Sequence, residues 1–306
     1  MGSGQFAVPV LTKLLEPGGF DRRVVAVVTQ PDRPNGRRQL VRRGAVAGLS
    51  DQAGAAVFQP ESLKDETTVA QLADLRPDTI VVASYGLFLP RRVLNLPARP
   101  SLNIHPSLLP RFRGPSPVAA AILAGDVESG VTIMEMAPKM DAGPIVAQRR
   151  LPISPDDTTE SLTAKLADAG ADVLLQTLPG WLDGSVIGQP QRNEDATYTS
   201  LLSKELARVQ WTKPAADLAR EVRAFIPWPV AHANLGAPLR IWRATVRSSS
   251  SQCEPGTVLS ADSGGITVQT GVDALLLEEV QPAGGKRMPA GAYVLGRPGL
   301  ARTKAG

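Results

Sequence analysis

The residues with the most chemical potential lie in SLNIHPSLLPRFRGPSPVAAAILAGDVESGVTIMEMAPKMDAG, residues 101–143. Asn103 and His105 stand two apart in a run that reads as a strand end, so both side chains point to one face. That sets an amide donor beside an imidazole, the side chain that titrates near neutral pH. Pro106 fixes the exit of the strand, and Leu108, Leu109 and Pro110 form an apolar lip. Asp141, between Met140 and Ala142-Gly143, falls in a loop after the next strand and can return to the same crevice. An amide, an imidazole and a carboxylate meeting there would stabilise a developing oxyanion, with the histidine kept protonated by its carboxylate partner. The same spacing also fits a hydrogen-bonded strand-end histidine and an unrelated turn aspartate, and spacing alone does not choose between them.

The elements that must position these residues follow from periodicity. Residues 23–29 (RVVAVVT), 56–59, 78–84 (DTIVVAS) and 101–105 read as buried strands. Residues 7–16, 45–53, 66–75 and 117–124 read as helices. That alternation is βαβ, which predicts a parallel sheet covered by helices on both faces, with ligands at its carboxyl edge. Further strands at 131–137 and 145–151 and a long helix at about 159–178 complete a first domain, 1–187. Residues 188–205 are polar without sustained periodicity and read as a linker. One helix at 214–225 and five short strand-like runs between 231 and 280, set off by Gly and Pro turns, predict a small β-barrel within 206–306. Gly2, Gly4 and Ala7 spell a dinucleotide fingerprint, but no strand precedes them, so they read as a plain turn.

Composition narrows the function classes. The chain has 306 residues, a single cysteine (Cys253) and two histidines (His105 and His232), which excludes an internal disulfide, a cysteine zinc cluster and a multi-histidine metal centre. A reducing cytoplasm is the expected setting. No apolar run approaches the roughly 18 to 20 residues of a membrane-spanning helix, and no membrane partner is expected. The net charge is +4. Residues 206–306 carry 12 basic and 7 acidic side chains, so the basic excess sits in the C-terminal third. That suggests a face for a polyanion such as nucleic acid, and equally fits a solvated basic surface.

The run N-x-H-P-S-L-L-P, followed by R-G, a helix, G-V-T-I and D-x-G, resembles the signature of the folate-dependent formyltransferases. The flanks F-A-V-P, V-V-T-Q-P-D-R-P (27–34), W-T-K-P (211–214), V-R-A-F-I-P-W-P (222–229) and L-E-E-V-Q-P-A-G-G-K-R-M (277–288) resemble the branch that formylates initiator methionyl-tRNA, and the resemblance covers nearly the whole chain. It implies an α/β fold, with a Rossmann-like, mostly parallel sheet domain followed by an OB-like barrel that binds tRNA. It implies 10-formyltetrahydrofolate as co-substrate, no metal, and action as a monomer in a bacterial cytoplasm, an organellar matrix being the other setting. Its catalytic triad falls on Asn103, His105 and Asp141. Its folate contacts fall on Ser84, Tyr85, Gly86 and Leu87, on Ser107, Leu108, Leu109 and Pro110, and on Met140 and Gly143. Its tRNA contacts fall on Arg37, Arg38 and Arg42, in a loop (31–43) with five arginines, and on Lys286 and Arg287.

One departure stands out. The family begins with an apolar strand just before the first turn, whereas this chain starts at Met1-Gly2, on the turn itself. A missing central strand is expected to strip its neighbours of ladder partners and expose apolar surface. Two competing readings remain at this point: formylation of an amino sugar nucleotide or other small amine, and an RNA-binding protein that keeps the fold without turnover.

Overall fold

The computed structural model describes residues 1–16, 23–35, 40–297 and 299–306. Their contacts form two compact units, one of residues 1–117, 128–152 and 163–199, the other of 118–127, 153–162 and 200–306. Among the described residues no helix is long and apolar enough to cross a membrane.

In the first unit, α1 (Ala7–Leu15) leaves the opening turn and buries Ala7, Val10 and Leu11, one stripe of a helix of 3.6-residue period. It is followed by β1 (Val27–Val28), β2 (Arg33–Asn35), β3 (Leu40–Arg42), α2 (Ala45–Gln52), β4 (Val57–Phe58), α3 (Glu66–Asp74), β5 (Val81–Val82), α4 (Arg91–Leu94) and β6 (Leu102–His105). Asp65 starts α3 by accepting the Thr68 N–H at 2.8 Å. β1 pairs with β4 and β5 with β6, both parallel, as the βαβ order requires. Residues 31–43, expected as an arginine-rich loop, contain an antiparallel pair of β2 and β3. Arg37 and Arg38 lie outside the described residues.

Beyond β6 the direction reverses. α5 (Pro117–Ala124) leads into β7 (Glu128–Glu135), which runs antiparallel to β6, and β8 (Ile145–Pro152) runs antiparallel to β7. The sheet β5-β6-β7-β8 is therefore mixed, which corrects the expected mostly parallel one. The cause is the path of the chain after His105. It lies across β7 and β8, where Ser107 and Leu109 bond Thr132 and Gln148, so β7 is entered from the His105 end. On the far face of β6, Ile104 packs against α6 (Thr159–Asp183) at Gly170, where an added Cβ would come within 2.9 Å of Ile104.

Met1 and Gly2 stand between β1 and β5. Gly2 N–H donates to Val28 O (3.0 Å), Ala83 N–H to Met1 O (2.9 Å), and the Met1 amine to Val81 O (2.6 Å). Beyond them an apolar cavity of about 280 Å³ is lined by Val10, Leu11, Val27, Leu72, Ile80 and Leu178. Within the runs 23–29 and 78–84, β1 ladders to β4 over Val27–Val28 and β5 to β6 over Val81–Val82.

The second unit centres on α7 (Ala215–Ala224), whose buried Leu218 and Val222 meet an antiparallel sheet. Its strands are β9 (His232–Asn234), β10 (Pro238–Arg247), β11 (Val258–Asp262), β12 (Gly265–Gln269), β13 (Ala274–Pro282) and β14 (Met288–Pro289), before α8 (Ala290–Leu295). The order is β11-β12-β13-β10-β9, with β14 on β13. This sheet is open, which corrects the closed barrel. β11 and β9 do not pair directly, because the C-terminal segment lies between them: Val258 N–H donates to Thr303 O (2.9 Å) and Arg302 N–H to Val258 O (2.8 Å), while Asn234 N–H donates to Gly306 O (2.7 Å) and Gly306 N–H to Asn234 O (2.8 Å). The two outer edges are thus bridged by a terminal segment without strand character instead of by each other.

Candidate active site

β6 alternates as its sequence demands. Leu102 and Ile104 are buried on one face, and Asn103 and His105 share the other. In the register of β7, Asn103 faces Met134 and His105 faces Thr132. The Asn103 amide is half-buried and has no hydrogen-bond partner among the described residues, so its N–H groups are free for a ligand.

His105 is only 5% exposed. Its Nε2 lies 3.0 Å from the Phe112 carbonyl, and since a carbonyl only accepts, Nε2 carries the hydrogen. Nδ1 faces Asp141 Oδ2 at 3.8 Å, beyond hydrogen-bond reach but close enough for strong attraction. Burial pushes the His105 pKa below the usual imidazole value, and the pull of Asp141 and of the Phe112 carbonyl does not overcome it. Burial thus favours the neutral ring, and with the hydrogen on Nε2 the lone pair of that form is at Nδ1. Burial therefore works against the expectation that Asp141 keeps it charged, since desolvation of a buried cation opposes the attraction of one carboxylate at 3.8 Å.

Asp141 is fixed from two sides. Gly114 N–H donates to Oδ2 at 2.7 Å, and Gln191 Nε2 donates to the Asp141 carbonyl at 2.9 Å and the Gly143 carbonyl at 2.7 Å. Gly143 is required by space, since a Cβ there would lie 1.8 Å from Glu135 O. The loop after His105 is held by Thr132, which is fully buried: its hydroxyl donates to Ser107 O (2.7 Å) and accepts from Leu109 N–H (3.2 Å) and from Gln148 Nε2 (2.8 Å). Ser107 donates to Arg111 O at 2.7 Å.

The structure therefore brings Asn103, His105, Asp141, Met140, Gly143 and residues 107–110 to one region of the first unit. Leu108 and Pro110 are half-buried, Leu109 is buried and Met140 exposed. Ser84–Leu87 continue β5, the neighbour of β6, and so run alongside the Asn103 end of the sheet. Ser84 and Gly86 are exposed, with φ of 47° and 76°. Tyr85 is different: its ring is in the core with Val82 and Leu89, and burial pushes its unpartnered hydroxyl up to about 12.

In the second unit Lys286 is exposed, and Arg287 pairs with Glu279 (2.5 and 2.6 Å) over the Trp242 ring. Arg42 is exposed on β3. Among the described residues no group of three or more His, Cys, Asp or Glu is placed to hold a metal ion. The sequence reading missed the Phe112 carbonyl, the Gly114 N–H, Thr132 and Gln191 as parts of the site. The first three lie inside the quoted motif, whereas Gln191 sits in the aperiodic stretch expected as linker.

Two family models match the chain: formyl transferase over residues 1–178, and the formyl transferase C-terminal domain over residues 201–298. A methionyl-tRNA formyltransferase of Roseiflexus castenholzii is 49% identical over 95% of this chain and 92% of its own length. One from Thiobacillus denitrificans is 45% identical over 100% of this chain and 98% of its own. Among solved structures, HypX from Aquifex aeolicus in complex with tetrahydrofolic acid superposes with a TM-score of 0.62 at 23% identity, over 84% of this chain and 45% of that one, a likeness of fold.

Proposed function

The chain belongs to the formyl transferase family, and we propose that it transfers the formyl group of 10-formyltetrahydrofolate to the α-amino group of initiator methionyl-tRNA. The observation that carries this reading is the unpartnered Asn103 amide beside the buried His105, with Asp141 facing the histidine at 3.8 Å. The acceptor amine, on an esterified amino acid, is largely neutral near pH 7 and ready to attack. 10-Formyltetrahydrofolate supplies the formyl carbon and leaves through N10. Asn103 donates to the oxygen on which charge develops. His105 takes the proton released by the attacking amine at Nδ1, Asp141 stabilises the resulting cation, and the proton passes on to N10 as the C–N10 bond breaks. Atoms and charge balance without a metal or a covalent enzyme intermediate.

The residues fit a folate held largely by backbone: the exposed turn at Ser84–Gly86, the lip of Leu108 and Pro110, and the exposed Met140 offer apolar and main-chain contacts beside Asn103. We assign catalysis to residues 1–187, with its Rossmann-like sheet core, and tRNA contact to the OB-like residues 206–306 together with the 31–43 segment. Lys286, Arg287 and Arg42 meet phosphates there, and Arg37 and Arg38 are assigned the same role on the family resemblance. The protein acts as a monomer in the bacterial cytoplasm. The test compares formylation of methionyl-tRNA with that of free small amines, including amino sugar nucleotides, with 10-formyltetrahydrofolate as donor. Preference for the small amine, or binding of tRNA without turnover, overturns the proposal.

A further inference from the structure

The stretch expected as linker contains a strap over the site. Residues 189–199 are bonded throughout to the first unit: Gln189 pairs with Ile145, Thr197 Oγ1 accepts from Phe112 N–H (2.8 Å), and Thr199 N–H donates to Arg113 O (2.8 Å). We propose that Gln191 in this strap, oriented by the buried Arg113, is a positioning residue that sets the Asp141 carboxylate for reaction. The inference rests on the catalytic reading above.

Arg113 is fully buried, and its partners are all neutral. Gln191 Oε1 accepts from Nε (3.1 Å) and Nη2 (2.6 Å), Asn193 Oδ1 accepts from Nη1 and Nη2 (both 3.1 Å), and the Tyr198 hydroxyl lies 3.3 Å from Nη1. A guanidinium buried without a carboxylate is a poor stabilising device. It does fix one thing. Because Arg113 only donates, Gln191 must turn its oxygen toward it and its NH₂ toward the carbonyls of Asp141 and Gly143, and both N–H groups are used. Asp141 has φ +48°, a conformation that a non-glycine residue keeps only where its surroundings enforce it. Gly114, next to Arg113 in the chain, meanwhile holds the carboxylate itself. One dipeptide thus fixes both ends of Asp141.

The experiment is a double-mutant cycle of Gln191→Glu with Asp141→Ala, read by turnover, KM and melting temperature. Gln191→Glu keeps an acceptor for Arg113 and loses both N–H donors to the loop. With positioning through Asp141, it lowers kcat about tenfold or more, leaves KM for methionyl-tRNA near wild type, melts within a few degrees of wild type, and adds less than about twofold once Asp141 is alanine. Wild-type kcat for Gln191→Glu, or an equal loss in the Asp141→Ala background, overturns the inference. Should Gln191→Glu melt early, Gln191→Asn, which keeps the amide one methylene short, is judged by the same criteria. Wild-type turnover of Asp141→Ala alone instead overturns the catalytic reading, so the two failures are told apart.

Discussion

Extending the chain upstream of Met1 by about five apolar β-branched residues should raise stability by several kcal/mol. In the 306-residue chain the Met1 amine is buried against Val81 O, and burial pushes its pKa from 8.0 down to about 5. A base whose folded pKa lies below its unfolded value costs nothing above the unfolded value. The cost grows as pH falls and levels off below the folded value. At pH 7 it is about 1.4 kcal/mol, and below pH 5 about 4 kcal/mol, so stability rises with pH between 5 and 8. An extension turns the amine into an amide and removes this cost. It also enters the cavity of about 280 Å³ between β1 and β5. Some five side chains gain roughly 2 kcal/mol each and four or five ladder bonds about 1 each, against about 2 kcal/mol of ordering entropy per residue, leaving a net of about 5. For a unit of this size the shift in Tm is on the order of 10 to 20 °C. Nα-acetylation of Met1 is the control: it should flatten the pH dependence between 5 and 8 without the larger gain. Amide exchange at 24–28 and 79–82 should slow in the extended chain only. Equal melting curves for the three proteins from pH 5.5 to 8 would refute both the strand slot and the buried amine.

His105→Ala and Asn103→Ala should each lower turnover at least about a hundredfold while tRNA affinity, measured by filter binding, stays near wild type; losses of only a few fold would remove them from the chemistry. Asp141→Asn should lower turnover and, by deleting the charge that opposes burial at His105, move the acid limb of the pH–rate profile to lower pH. A limb that stays in place would uncouple the pair. Lys286→Glu should weaken tRNA binding and reduce the slope of log K against log salt by about one, whereas Arg287→Glu acts in part by breaking its pair with Glu279, so its slope change should be smaller than its affinity loss. An unchanged slope for Lys286→Glu would take this edge out of the interface.

Much of this was legible before the structure because it is local. The apolar i, i+3, i+4 stripe of α1 is a short-range signal, and the helices expected at 7–16 and 66–75 are α1 and α3, each within a residue of its expected bounds. Asn103 and His105 fall on one face for the same reason, two residues of a pleated strand. Strand direction is not local. The reversal after β6 depends on residues 107–109 bonding to Thr132 and Gln148, a contact across more than 20 positions that no periodicity encodes. Direct closure of the second sheet is absent for a related reason: the chain's last residues bond to both β11 and β9, and a reading that counts strands does not see a terminus without strand character.

The site's hardest feature to read was the protonation state of His105, because two opposing effects had to be weighed and only one shows in sequence. A carboxylate in a D-x-G loop suggests a charged partner, but depth does not appear in the motif. Depth decides here: Asp141 spends its Oδ2 on the Gly114 N–H and stands 3.8 Å from Nδ1, so its attraction lacks a hydrogen bond, while the ring has almost no water left. A neutral imidazole with a free Nδ1 is the better starting state for accepting the amine's proton, and the nearby carboxylate is then worth most once that proton has arrived. Attraction that is strong only after proton transfer lowers the barrier without stabilising the resting protein, which is the property a catalytic carboxylate must have.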